Sequence, residues 1–135
     1  MSDTIKVLLI KPMKPPEVAD IPSDLKGMQA TVGGDIEAVY PYEEPIALVG
    51  HGEAKLIGLP LNRALRDEDG HIYDIMAGDF FICDVSGKDF GSLSDEQIKK
   101  YSEIFKTPEV FVKINGGIAA IPLINPSKPR DNGAR

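Results

Sequence analysis

The 135-residue chain has no tryptophan and a single cysteine, Cys83. One cysteine excludes an intrachain disulfide framework and a zinc cluster built on cysteines. Four tyrosines and five phenylalanines are too few for a large aromatic platform. Basic residues are also in the minority, since 21 acidic and 15 basic side chains give a net charge of -6. This charge argues against broad contact with a nucleic-acid backbone.

Long apolar runs are missing as well. The longest uncharged apolar stretches lie around residues 7–10 and 118–124, whereas a membrane-spanning helix needs about 20 apolar residues. No signal peptide fits the first residues, so we expect a soluble, cytoplasmic protein without membrane contact. The last segment, NPSKPRDNGAR, carries two prolines and almost no apolar side chains. It predicts a flexible tail over residues 125–135 after a single domain of residues 1–124.

Two helices are predicted from their terminal signals. Ser23 or Asp24 can cap the first helix, and Gly33 with its neighbouring glycine supplies a left-handed end. Ser94 and Gln97 have the spacing of a capping box at the start of the second helix.

Short runs rich in branched aliphatic residues, separated by turn signals, predict strands. The continuous apolar run of residues 5–10 indicates a central strand buried on both faces. The dipeptides Asp69-Gly70 and Asn115-Gly116 predict hairpin turns. The other predicted strands are residues 17–21, at a sheet edge, and residues 36–40, 46–49, 56–61, 72–76, 79–85, 110–114 and 118–121. Together these signals predict an α+β fold with about seven to nine short strands, a mostly antiparallel sheet and two helices.

The segment from Asn62 to Arg66 is the best candidate for a binding site. It places the Asn62 amide close to the guanidinium groups of Arg63 and Arg66. An arginine can hold a carboxylate or phosphate through two parallel hydrogen bonds, and an asparagine can donate and accept beside it. The alternative is structural: the arginines can pair with acidic residues across the hairpin, namely Asp67, Glu68, Asp69 or Asp74.

Three further residues complete the predicted ligand-binding set. Tyr40 and Tyr42 flank a proline, and this aromatic pair can stack on a planar ligand, although packing at a sheet edge is the more ordinary explanation. Asp74 offers a carboxylate on the strand after the candidate segment.

Metal and nucleophile chemistry is not expected. The acidic residues 67–74 lack the alternate spacing and the final glutamate of a helix-loop-helix calcium site. His51 and His71 are 20 positions apart and are interpreted as polar loop residues. Cys83 lies in an apolar run, where a thiol behaves as a small hydrophobe with a raised pKa. We therefore predict no metal, no cofactor and no assigned catalytic residue.

Three blocks of sequence carry a family resemblance. They are VGGDIEAVYPYEEPIALV (residues 32–49), GLPLNRALRDEDGHIYDIMAGDFFIC (residues 58–83) and FGSLSDEQIKKY (residues 90–101). The chain resembles the domain of unknown function 3846 family over roughly residues 6–105. The resemblance implies a small accessory protein of phages, plasmids or conjugative elements, or of the bacteria that carry them. It implies no established reaction.

Three functions follow as hypotheses. The first is a non-catalytic accessory binding protein that holds a host protein or an anionic, nucleotide-like small ligand and acts in defence evasion. The second is a small enzyme with Asp74 or His71 as acid or base and Arg63 as anion-binding group. The third is a structural module that forms a homodimer through a sheet edge, at residues 17–21 or at the last hairpin.

Overall fold

The computed structural model describes residues 3–123 as nine strands and two helices. The predicted tail, residues 125–135, lies outside the described residues. In chain order the elements are β1 (Thr4–Ile10), β2 (Glu17–Pro22), α1 (Leu25–Val32), β3 (Ile36–Val39), β4 (Ile46–His51), β5 (Leu61–Arg66), β6 (Ile72–Ala77), β7 (Phe80–Asp84), α2 (Asp95–Ile104), β8 (Glu109–Ile114) and β9 (Gly117–Pro122).

The main sheet has five strands in the order β2-β1-β7-β4-β3, with antiparallel neighbours throughout. The strands β5 and β6 form one separate hairpin, and β8 and β9 form another. The α+β class and the mostly antiparallel pairing are confirmed. The strand over residues 17–21 lies at the edge of the sheet, as predicted.

The central strand β1 is buried on both faces because the sheet has an apolar layer on each side. Val7 and Leu9 join the cluster that contains Met28 and Val32 of α1. The alternate residues of β1 join the second cluster, which contains Tyr101 of α2 and Leu65 of β5. This two-sided burial explains why the sequence of β1 shows no polar alternation.

Both helices start as their sequences predict. The Asp24 side chain accepts the Gly27 N–H (2.8 Å), and Gly33 ends α1 with φ of 90°. At α2 the Ser94 hydroxyl accepts the Gln97 N–H (3.1 Å) while the Gln97 side chain accepts the Ser94 N–H (2.7 Å). Local hydrogen bonds therefore fix the two helix starts independently of tertiary packing.

The predicted strand over residues 56–61 is wrong. Residues 52–58 form consecutive turns, and the strand begins only at Leu61. The Ile57 N–H donates to the Glu53 carbonyl (3.0 Å), and Gly58 has φ of 79°. The left-handed conformation of this glycine ends the turns and is incompatible with a strand.

None of the helices within residues 3–123 is long and apolar enough to cross a membrane.

Candidate functional site

Arg63 is buried inside the protein, with 2% of its surface exposed. Its Nε and Nη2 both donate to the carbonyl oxygen of Phe105, at 3.2 and 3.0 Å, and Nη2 also donates to that of Lys14 (2.7 Å). Its Nη1 donates to the side chain and the backbone carbonyl of Asn62, at 2.9 and 3.4 Å. A guanidinium has five N–H groups, so all of them have acceptors within the protein.

These bonds make Arg63 a clamp between distant segments. It joins β5 to the end of α2 at Phe105 and to the loop between β1 and β2 at Lys14. Burial lowers the pKa of the Arg63 guanidinium, and the negative charge of Glu109 acts in the opposite direction. Because arginine keeps its proton even when buried, the clamp is a permanent positive charge inside the protein.

Asn62, which precedes Arg63 in β5 and is bonded to it, is completely buried. Its Nδ2 donates to the carbonyl oxygens of Ile10 (3.0 Å) and Gly78 (2.8 Å), and its Oδ1 accepts from Arg63. The amide therefore connects β5 to β1 and to the turn before β7. Every polar atom of the side chain has a partner inside the fold.

Arg66, three residues further along β5, has a different environment. Its side chain is 39% exposed, and its Nη2 donates to Glu109 Oε2 at 2.5 Å. The other Glu109 oxygen accepts the Ala64 N–H at 2.8 Å. Within residues 3–123, Arg66 Nε and Nη1 form no hydrogen bond.

A cleft of about 420 Å³ opens beside the two arginines. We call it the arginine cleft. Its polar lining includes both guanidinium groups and one carboxylate, Glu109, so these three side chains give it a net positive charge on a chain of net charge -6. The remaining lining residues, which are largely apolar, are Tyr42, Ala64, Ile104, Phe105, Thr107 and Pro122.

Tyr42 reaches the arginine cleft because α2 holds the loop that carries it. The Tyr101 hydroxyl donates to Glu44, and Lys100 Nζ donates to the same carboxylate at 2.7 Å. The ring centroids of Tyr42 and Tyr101 are 5.2 Å apart, with the ring planes tilted by 51°. Burial raises the pKa of Tyr42 to about 12, and the neighbouring Tyr73 adds to this shift. The Tyr42 hydroxyl is therefore a neutral hydrogen-bonding group at physiological pH.

The other two predicted residues lie elsewhere. Asp74 accepts from Lys55 Nζ at 2.5 Å and lines a cavity of about 610 Å³ that also includes His51. Burial tends to raise the pKa of Asp74, but its bonds to Lys55 and to the Ile75 N–H lower it overall. Tyr40 is 62% exposed and lines a third cleft, of about 540 Å³. The structure thus brings Arg63, Arg66 and Tyr42 together and places Asp74 and Tyr40 on separate surfaces.

The ligand-binding assignment of the six residues remains a prediction. The alternative was that the two arginines pair with acidic residues across the hairpin, and the structure gives both arginines other partners. Arg66 pairs with Glu109, which lies 43 positions away, and not with Asp67, Glu68, Asp69 or Asp74. Arg63 is held by carbonyl oxygens. The enzyme hypothesis needed Arg63 beside Asp74 or His71. Asp74 lines a different cavity from Arg63, and His71 is exposed in the turn of the β5–β6 hairpin.

Asp67, Asp69 and His71 form one exposed group whose potential ligand atoms lie within 4.8 Å of one another. The Asp67 side chain accepts the N–H groups of Asp69 and His71, each at 2.9 Å. This pattern is the usual way an aspartate closes a turn on its own backbone. Hairpin geometry therefore accounts for the clustering.

Cys83 is completely buried in β7. Burial, with the neighbouring charge of Asp84, raises the pKa of the thiol to about 12. The side chain therefore stays a neutral thiol and packs as a small apolar group, as the sequence predicts.

Sequence reasoning missed Glu109, the acidic partner of Arg66. Glu109 opens a strand that is otherwise almost entirely apolar, and this contrast is the one local signal of a special role. It also missed the group of Glu44, Lys100 and Tyr101 that positions Tyr42. Those contacts join residues 56 and 57 positions apart, so local spacing carries no trace of them.

Comparison with known families assigns the chain to one of them. The family model described as Domain of unknown function (DUF3846) matches residues 5–106, and the chain belongs to that family. The match includes Tyr42, Arg63 and Arg66, whereas Glu109 lies beyond it. No curated protein and no solved structure matches the chain.

Proposed function

We propose that this member of the DUF3846 family is a non-catalytic binding protein whose arginine cleft holds a small anionic, nucleotide-like ligand. The observation that carries the proposal is that two guanidinium groups and a single carboxylate line one open cleft. Arg63 supplies a fixed buried charge, and Arg66 supplies a partly exposed guanidinium with two nitrogens that are unbonded within residues 3–123. The cleft thereby concentrates positive charge on an acidic protein, where an anion is favoured locally.

The apolar side of the cleft supports a ligand with a planar part. Tyr42 presents an aromatic ring whose position is fixed by Tyr101, and Ile104, Phe105 and Pro122 add apolar surface. A base or similar ring can pack against such a surface while its phosphate reaches Arg66. The volume, about 420 Å³, lies within the range typical of small-molecule sites.

We place this function in the bacterial cytoplasm, as an accessory activity of a phage, plasmid or conjugative element that acts in defence evasion. The three sequence blocks quoted above support this setting through their family resemblance. Sequestration of a nucleotide-like molecule is a role that a binder without turnover can fill.

The test is calorimetric titration of adenosine 5′-monophosphate into the wild-type protein and Arg66→Met. Losing a charged hydrogen bond at a partly buried site weakens binding about 10- to 100-fold. Lys26→Met, an exposed change on α1 with the same loss of charge, serves as the matched control and keeps wild-type affinity. Adenosine, which lacks the phosphate, binds far more weakly than the monophosphate.

Equal binding by wild type, Arg66→Met and Lys26→Met would overturn the proposal. The nucleotide is also recovered after incubation and examined by mass spectrometry. Recovery of unchanged nucleotide agrees with a binder, whereas conversion to a product would favour the enzyme hypothesis instead.

A second candidate function is binding to another protein chain, either a host protein or a second copy. The observation that favours it is the exposure of Val112, Ile114, Ile118 and Ile121 on the β8–β9 hairpin. The strand β9 carries no charged side chain, and an uncharged strand edge is suited to pairing with another strand. Light scattering after size exclusion tests self-association: a dimer that Ile118→Lys converts to a monomer supports it, and a monomeric wild type removes it.

A further inference from the structure

The carboxylate of Glu109 occupies one donor nitrogen of the Arg66 guanidinium, the group that an anionic ligand would bind. The Glu109 side chain is only 7% exposed, and its Oε2 lies 2.5 Å from Arg66 Nη2. Its Oε1 is fixed by the Ala64 N–H at 2.8 Å. The protein thus supplies its own carboxylate to the guanidinium that lines the arginine cleft.

Arg66 is the cation that can change partners there. All five N–H groups of Arg63 donate to acceptors that the fold itself provides. Arg66 has a single partner among residues 3–123 and keeps two-fifths of its side-chain surface exposed. A ligand that binds here either displaces Glu109 from Arg66 or shares Arg66 with it.

We propose that Glu109 is an internal competitor that makes the arginine cleft selective for phosphate-bearing ligands over monocarboxylates. This inference rests on the proposed function. A monocarboxylate would replace one carboxylate by another of the same charge and would still lose the entropy of association. A phosphate monoester carries a charge of about -1.5 to -2 at pH 7 and three acceptor oxygens. It can therefore also engage Arg66 Nε and Nη1.

The competitor comes from a different part of the chain than the cations. Arg63 and Arg66 lie within the family match of residues 5–106, whereas Glu109 is the first residue of the hairpin that follows it. That hairpin pairs only with itself within the described residues 3–123. Because β8 also contacts β5, release of Arg66 requires the Glu109 side chain or β8 to move relative to β5.

The experiment compares Glu109→Gln with Glu103→Gln by titration calorimetry, using adenosine 5′-monophosphate and acetate as probes. The glutamine keeps an oxygen that can accept from Ala64 N–H, but it removes the negative charge facing Arg66. Glu103, on α2, is exposed and pairs with Lys106 just beyond the helix, so its variant has the same net charge without affecting the cleft. We expect Glu109→Gln to bind the monophosphate about tenfold more tightly and to bind acetate measurably, while Glu103→Gln behaves as wild type.

The double variant Arg66→Met/Glu109→Gln is expected to lose the gain, because the gain requires the Arg66 guanidinium. If Glu109→Gln does not fold, displacement of the Glu109 carboxylate from Arg66 is followed in the wild-type protein through the ¹³C resonance of the Glu109 carboxyl carbon. Displacement by the monophosphate shifts this resonance, and acetate at the same concentration leaves it in place.

The outcomes separate the two proposals. If wild type and Glu109→Gln bind the monophosphate equally, the competitor inference is overturned while the binding function stands. An unshifted carboxyl resonance at saturating monophosphate also overturns the inference. If neither protein binds the monophosphate, the proposed function fails, and the inference that rests on it fails too.

Discussion

Arg63 and Arg66 lie on the same strand, three residues apart, yet they have opposite environments. The Arg63 guanidinium is buried and saturated by carbonyl and amide oxygens, whereas Arg66 is partly exposed and bound to one carboxylate. A register irregularity of β5 against β6 separates Leu61 from Arg63, and another separates Leu65 from Arg66. Such bulges redirect side chains. One arginine is therefore bonded entirely within the fold, while the other keeps part of its side chain exposed.

Of the changes that test the difference between Arg63 and Arg66, we expect substitution of Arg63 to have the largest effect, a loss in the free energy of unfolding. Arg63→Met leaves the buried carbonyl group of Phe105 and the carbonyl group of Lys14 without their donor, and we expect a loss of about 2–4 kcal/mol. Arg66→Met removes a partly exposed cation, while the Glu109 carboxylate keeps its bond from the Ala64 N–H, so we expect a smaller loss of about 1–2 kcal/mol. Urea denaturation of both variants measures the difference. Equal losses would show that the two arginines do not have separate roles.

Asn62 tests the inner part of the same clamp. Asn62→Leu keeps a similar volume but removes the donors to Ile10 and Gly78 and the acceptor for Arg63 Nη1. We expect a loss of about 1–3 kcal/mol, measured by the same urea denaturation. The loss should be smaller in an Arg63→Met background, since both side chains belong to one network. Full additivity would argue against a coupled clamp.

A smaller effect concerns the loop that presents Tyr42. Hydrogen bonds from Lys100 and Tyr101 lower the pKa of Glu44 from its ordinary value of 4.5. A lowered pKa in the folded state contributes stability above the unfolded value, and this contribution is lost as the pH falls through the folded value. Glu44→Gln should therefore reduce the loss of stability upon acidification below about pH 4.5. Thermal unfolding of both proteins between neutral pH and pH 3 measures it, and parallel curves would contradict the prediction.

We expect the smallest effect from a substitution that keeps the charge of Arg66 and changes only the geometry of its donors. Arg66→Lys keeps the positive charge but removes the fork of parallel donors, so it should weaken monophosphate binding less than Arg66→Met does. Calorimetric titration of the two variants ranks them. A lysine variant as weak as the methionine variant would indicate that the guanidinium shape, more than its charge, determines binding.

Local signals predicted most of the fold. The caps at Asp24 and Ser94, the turn at Asp69-Gly70 and the apolar run of β1 each depend on neighbouring residues, so one sequence is enough to identify them. The strand predicted over residues 56–61 was wrong because a left-handed Gly58 and its preceding turns replaced it. Apolar composition alone could not distinguish these alternatives.

The candidate site was only partly predictable. The sequence singled out Arg63 and Arg66 together, since both are arginines in an apolar setting. Their different environments depend on the backbone carbonyls of Lys14 and Phe105 and on Glu109, which are 42 to 49 positions from Arg63 or 43 from Arg66. Backbone acceptors have no residue type, so a sequence does not reveal which carbonyl a buried guanidinium meets.

The division between the two arginines is tested most directly by following their side-chain Nε–H resonances in ¹⁵N-labelled protein during titration with adenosine 5′-monophosphate. We expect the Arg63 Nε–H to exchange slowly with solvent and its resonance to stay fixed, while the Arg66 Nε–H exchanges rapidly and its resonance shifts until the protein is saturated. A shift at Arg63 with Arg66 unchanged, or no shift at either residue, would contradict it.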